Sequence, residues 1–154
     1  MSPEINLSSA SEDRMRLFGR FLNSLTHCRE QLLRDIIDAQ ILRLSELPTG
    51  EPEVALTGGG RVHGRIWRSG AFLSIDRRSK KGTEFTEFHI DWSDKLTLHA
   101  SEGFRDINDV PRSAKEWLYK GDNHQPMKTR RVAEALSFAV DSVTAKAVGF
   151  QGRD

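Results

Sequence analysis

Apolar residues in the first third of the chain recur at steps of three and four: Phe18, Phe21, Leu25, Cys28, Leu32, Ile36 and Ala39. That spacing draws a stripe down one face of an α-helix. Ser9 and Glu12 stand at capping-box distance before it, and Leu47-Pro48-Thr49-Gly50 ends it. The second half of the stripe widens through Leu32, Leu33, Ile36, Ile37, Ile41, Leu42 and Leu44, so it should be the more buried half. Residues 11–44 as one helix would run about 51 Å. A folded domain of this length is only roughly 38 Å across. The helix must therefore break, near Gly19 or Thr26-His27, or project and find a partner.

From residue 53 the period changes from helical to alternating. Short β-rich runs at 53–57, 61–68, 71–77, 83–92 and 96–100 are separated by Gly58-Gly59-Gly60, Ser69-Gly70, Ser79-Lys80-Lys81-Gly82 and Ser93-Asp94-Lys95. Five strands on short connections read as an antiparallel meander. Alternation assigns Val62, Ile66, Leu73, Ile75, Phe88, Ile90, Trp92, Leu96 and Leu98 to its buried face. Residues 102–110 read as loop. Ser113 and Glu116 at capping-box spacing, with Gly121 beyond, predict a short helix over 111–120 carrying Trp117 and Leu118 inward. Pro126 then opens a last helix striped by Val132, Leu136, Val140 and Val143, with Ala133, Ala135 and Ala139 keeping its contact face slim. The expectation is an α+β fold: a long N-terminal helix, a five-stranded antiparallel meander, and a short helix and C-terminal helix packed on one sheet face. Residues 1–10 should be a disordered N-terminus, 11–148 the domain, and 149–154 a tail.

Composition narrows the function classes. Net charge is +1 over 154 residues, with 37% hydrophobic and 29% charged side chains. This excludes a disordered polyelectrolyte and an indiscriminate DNA coat. One cysteine rules out an intramolecular disulfide and a Cys-based zinc site, and its helical neighbours make Cys28 a small buried apolar residue. No signal-like leader or bilayer-length apolar run is present, so a cytoplasmic protein with no membrane partner is expected. Met15 and Met127 read as gap-fillers, and Trp92 and Trp117 as core.

The near-zero charge hides segregation. Residues 61–81 carry a local charge of +6 and residues 82–109 one of −5. As a strand, 61–68 would turn Arg61, His63, Arg65 and Trp67 outward together. Three cation-capable groups and an aromatic are what a sheet needs to hold phosphates and stack a base. Arg68, Arg77, Arg78, Lys80 and Lys81 would extend that region, and Lys128, Arg130 and Arg131 could join it from the last helix. The objection is that the acidic block would pair with Arg61 and Arg65 across strands. His63, Glu87, His89, Asp91 and His99 would also collect outward, as a metal or acid–base site requires. Gly58-Gly59-Gly60 lacks the Gly-Lys-Ser/Thr ending of a phosphate loop and precedes a strand, so it reads as a turn. No catalytic motif is found.

These features favour a small non-catalytic binding, adaptor or regulatory protein, without a cofactor, that contacts another protein or itself. Phe18, Phe21 and Leu25 are the helix residues expected to make that contact. The alternative is a nucleic-acid-binding regulator working through 61–81, and a third is a metal-assisted or acid–base enzyme on the His/Asp face.

Overall fold

Alternating apolar positions between Val62 and Trp117 build one side of a sheet, and two amphipathic helices cover that side. The computed structural model describes residues 7–119 and 126–151. Helix α1 (Leu7–Ser45) leads into β1 (Glu53–Leu56), β2 (Gly60–Trp67), β3 (Gly70–Ser79), β4 (Gly82–Asp91), β5 (Thr97–Asp106) and β6 (Pro111–Leu118), and α2 (Thr129–Gln151) closes the order. The sheet is antiparallel throughout, with the strands side by side in sequence order. The fold is α+β with an antiparallel sheet.

Register explains the core. Val62 lies opposite Ile75, Leu73 opposite Phe88, Ile90 opposite Leu98, and Ala100 opposite Trp117. These rows meet Ile37, Ile41 and Leu44 of α1 and Val132, Leu136, Val140 and Val143 of α2, all buried in one cluster. Each such side chain contributes about 1.5–3 kcal/mol by leaving water. Ala133, Ala135 and Ala139 are buried as well, which lets α2 lie close to its neighbours. Trp92 and Leu96 only border the core. At the β1–β2 turn Gly58 and Gly59 have φ of 90° and 89°, a left-handed backbone that favours glycine at both places.

Several expectations are corrected. The short helix does not form: 111–118 is β6, and its first partner residues, 102–106, are strand rather than loop. Capping-box spacing is a weak local signal beside the hydrogen bonds that the open edge of β5 offers. Trp117 is buried either way, because one inward position satisfies a strand as well as a helix. Pro126 does not open α2; it bridges to Glu116, and Met127 N–H donates to Glu116 O at 2.8 Å, covering part of the β6 edge. Lys120 and Gly121, which would have ended the short helix, lie outside the described residues, as do 1–6 and 152–154. Cys28, Met15, Leu32 and Leu42 are exposed instead of buried.

Helix α1 is already helical at Leu7, ahead of the expected Ser9 cap, and of the two outcomes left open for it, a break or projection, it runs 39 residues without a break. It is about 58 Å long. From 11 to 32 every residue is exposed except Gly19, which is intermediate. Projection is therefore the outcome. Gly19 sits in this free stretch with nothing within 4 Å of where a Cβ would stand. Gly19→Ala is expected to raise helix stability by about 0.5–1 kcal/mol, read as greater far-UV ellipticity on heating. A loss would mean that the stretch needs glycine for a reason other than space.

Candidate functional site

Two surfaces remain once the core is assembled: the sheet face opposite the helices, and the free part of α1. On the sheet face Arg61, His63, Arg65 and Trp67 do alternate outward from β2. Register sets two rows across the strands. One runs Arg65, Phe72, His89, His99 and Leu118; the next runs His63, Ser74, Glu87, Ser101 and Glu116. Rings therefore adjoin across three strands, with Phe72 and His89 centroids 4.8 Å apart and His89 and His99 6.1 Å apart. Trp67 is 38% exposed, but its indole lies across Gly70, where a Cβ would come within 3.0 Å of the ring. One of its faces is thereby closed to stacking.

The face curves. A hollow of about 800 Å³ has Glu53 of β1 on one wall and Asp109 of the β5–β6 turn on another, although three strands separate β1 from β5. Inside it Asp76 is the organising carboxylate. Its Oδ2 lies 2.7 Å from His63 Nε2 and 3.8 Å from Arg61 Nε, while Ser74 Oγ donates to its Oδ1 at 2.7 Å. Arg61 also donates to Glu53 at 3.0 Å. The expectation that the acidic block would pair with Arg61 and Arg65 fails, because β3 lies between β2 and β4 and supplies Asp76 first. Glu87 instead accepts from Arg105 Nη2 at 2.8 Å, and that guanidinium lies 4.6 Å from the Phe85 ring centre. Phe85, Asp76 and Arg105 were missed by the sequence reading. Two-residue alternation from Phe72 would have flagged Asp76, but nothing local marks Arg105, whose strand was read as loop.

The remaining cations do not form one patch. Arg77 faces the helices, its guanidinium 6.0 Å from the Phe138 ring centre. Arg131 donates to Glu102 at 2.9 Å and Arg130 to Glu134 at 2.9 Å, so the α2 cations lie away from β2 and already have partners. Lys80 and Lys81 occupy the β3–β4 turn, Arg68 the β2–β3 turn, and Lys128 is exposed just before α2. Along the outer face carboxylates (Asp76, Glu87, Asp91, Glu116) interleave with the arginines. A continuous cationic track for a polynucleotide is not assembled.

The histidines adjoin in part, but His63 and His99 take separate carboxylates. His63 goes to Asp76, while His99 Nε2 lies 3.7 Å from Glu116. Asp91 accepts from the Ser93 hydroxyl and amide, which hold its carboxyl below the usual range. Among the described residues no three His, Cys, Asp or Glu side chains converge as metal ligands.

Asp106 shapes the rim. Its carboxylate accepts the Val110 and Asn108 amides and Arg112 Nε, and the Val110 bond foremost holds its carboxyl below the ordinary value of 3.8. Ionised Asp106 therefore stabilises the β5–β6 turn above that value, and the contribution is lost as pH falls through the lower, folded one. Amide exchange at Asn108 and Val110 is expected to quicken as pH falls below that ordinary value, relative to the intrinsic rate. Unchanged protection would remove Asp106 as the turn's fastening.

On α1 the exposed apolar side chains are Met15, Leu17, Phe18, Phe21, Leu22, Leu25 and Leu32, with Phe18 61% and Phe21 57% exposed. Phe18, Phe21, Leu25, Cys28 and Leu32 follow alternating steps of three and four, the spacing of a coiled-coil seam. The residues that anchor α1 to the sheet, Ile37, Ile41 and Leu44, point elsewhere. At 100° per residue their face lies roughly 150° around the axis from the seam. The free stripe is a second apolar face and not an extension of the buried one. Among the described residues no helix is long and apolar enough to cross a membrane. Comparison with protein-family models, curated proteins and solved structures returns no match for the chain.

Proposed function

We propose that the protein is a non-catalytic interaction module that pairs with a second copy of itself through residues 15–32 of α1. The observation carrying this reading is the seam from Phe18 to Leu32, fully in water on a helix face distinct from the one that anchors the domain. An exposed row of two phenylalanines and several leucines is costly unless another surface covers it. The row spans about 21 Å. A stable specific complex covers about 800 Å² on each partner. So short a strip approaches that area only against a surface that is itself apolar, and an identical strip provides one. Self-pairing uses the same patch on both chains, as two-fold dimers do. The flanks are mixed in sign, with Glu12, Asp13 and Glu30 among Arg14, Arg16, Arg20 and Arg29, so two copies do not repel. The domain would then be a body carried at the end of a paired rod, its sheet face left free for a ligand or a second partner.

The test is sedimentation velocity on the wild type and on a Phe18→Glu/Phe21→Glu variant. Wild type is expected to sediment as a dimer at micromolar concentration. The variant is expected to lose about a hundredfold or more in association, because charge replaces two central apolar contacts. Its thermal unfolding at monomer concentration should match wild type, since neither side chain belongs to the core. A wild type that stays monomeric at high micromolar concentration would overturn the proposal, as would an undiminished dimer in the variant.

A further inference from the structure

We propose that the hollow on the outer sheet face binds a phosphate-bearing small molecule of up to nucleotide size, held by Arg78 together with Arg61 and Arg105. Register brings these three together. Arg78 of β3 is opposite Thr83, and Thr83 is opposite Arg105, while Arg61 lies opposite Asp76, two residues from Arg78 on the same strand face. All three line the hollow of about 800 Å³. That volume suits a small ligand; pockets of this kind run about 300–1,000 Å³.

The pairing of charges in the hollow selects an anion. Asp76 is already engaged by His63, Arg61 and Ser74, and Glu87 by Arg105. The Arg78 side chain is exposed and has no hydrogen bond, ion pair or ring contact among the described residues. Of the cations lining the hollow it is the one without a partner there, since Lys146 donates to Glu53 O. The Arg105 guanidinium stands over Phe85, a ring only 7% exposed, with its carbon 4.6 Å from the ring centre, so it is positioned before any ligand arrives. A guanidinium offers five donors, and most remain unspent after Arg61 meets Glu53 and Asp76 through one nitrogen each and Arg105 meets Glu87 through one. Three forks around one space match the several oxygens of a phosphate better than the two of a carboxylate. The site is local, because Glu87, Asp91 and Glu116 interrupt the face beyond this corner. A monomeric ligand is thus favoured over a nucleic-acid strand. Asp109, on the rim at φ 65°, has no ion pair among the described residues and opposes the anion.

Titration calorimetry at low salt with inorganic pyrophosphate and with ADP tests this. At least one is expected to bind with submillimolar affinity. Arg78→Gln should weaken it roughly tenfold or more with no loss of thermal stability, since that side chain supports nothing else. Asp109→Asn should tighten binding severalfold, and Lys80→Gln/Lys81→Gln, on the adjacent turn, should leave it within about twofold of wild type. Absence of heat with both probes at millimolar concentration would overturn the proposal. So would equal losses in the Arg78 and Lys80/Lys81 variants, which would mean diffuse charge and no site. Tighter binding of a single-stranded oligonucleotide than of ADP, with a steep salt dependence, would also overturn it in favour of a polymer ligand.

Discussion

Gly64→Ala is expected to destabilise the protein by about 3 kcal/mol or more, a cost out of proportion to one methyl group. Gly64 sits mid-strand in β2, between Val62 and Ile66 on the helix side of the sheet. A Cβ there would stand 1.9 Å from the carbonyl oxygen of Phe72 and 2.9 Å from Leu73 Cα. Those obstacles are backbone, so no side-chain rotation can clear them. The strand would have to lift from β3 across a ladder that runs from Gly60 opposite Arg77 to Trp67 opposite Gly70. It would also strain the amide of Gly64, which donates to Pro52 O at 3.1 Å on its other side. The change should appear in urea unfolding as a lower midpoint at an unchanged slope. A shift under about 1 kcal/mol would mean that β2 and β3 do not approach so closely. Gly19→Ala, the same substitution in open helix, has the opposite expected sign.

Phe88→Ala should cost about 3–5 kcal/mol, a large fraction of the ~5–15 kcal/mol that holds a domain folded. Phe88 is fully buried between Leu73 and Ala100 in register, at the centre of the sheet face that α1 and α2 cover. Removing the ring leaves a cavity that six hydrogen-bonded strands cannot collapse to fill. A fall in melting temperature on the order of 10 °C follows for a chain of this size. Phe18→Ala provides the contrast. Phe18 is 61% exposed, so its loss should change monomer stability by less than about 0.5 kcal/mol. If Phe18→Ala unfolded the monomer as readily as Phe88→Ala, the free helix would have to fold back onto the domain. The same residue type thus supports the fold in one place and is available for contact in the other.

Much of this architecture was readable locally. The meander from β1 to β4 follows from glycine-rich or polar turns between alternating runs, because short connections between strands leave few topologies other than hairpins. Alternation along 61–68 correctly turned Arg61, His63, Arg65 and Trp67 outward. The stripe from Val132 to Val143 correctly marked the buried face of α2. Where periodicity was short, it misled. Residues 111–118 satisfy a weak helical cap, and β6 forms because β5 presents an unpaired edge that only the assembled sheet reveals. Cys28 has apolar helical neighbours, and its exposure depends on whether anything lies against that face of α1.

The candidate sites divide in the same way. A seam at Phe18, Phe21 and Leu25 is legible from spacing, since a helix's periodicity is set by its own backbone. That it lies in water, roughly 150° from the anchoring face, depends on α1 remaining straight for about 58 Å, and no residue within it dictates that. On the sheet, composition showed a cationic block followed by an acidic one. Only tertiary structure put β3 between them, so that Asp76 takes His63 and Arg61, Glu87 takes Arg105, and Arg65 and Arg78 are left without a side-chain partner among the described residues. The sequence by itself determined the fold class, the hairpin order and the outward alternation of β2, all of which arise from interactions within a few residues. The anchoring of only the second half of α1, the sixth strand and the pairing of charges were decided by contacts between residues distant in sequence, where competition among partners and not local pattern sets the outcome.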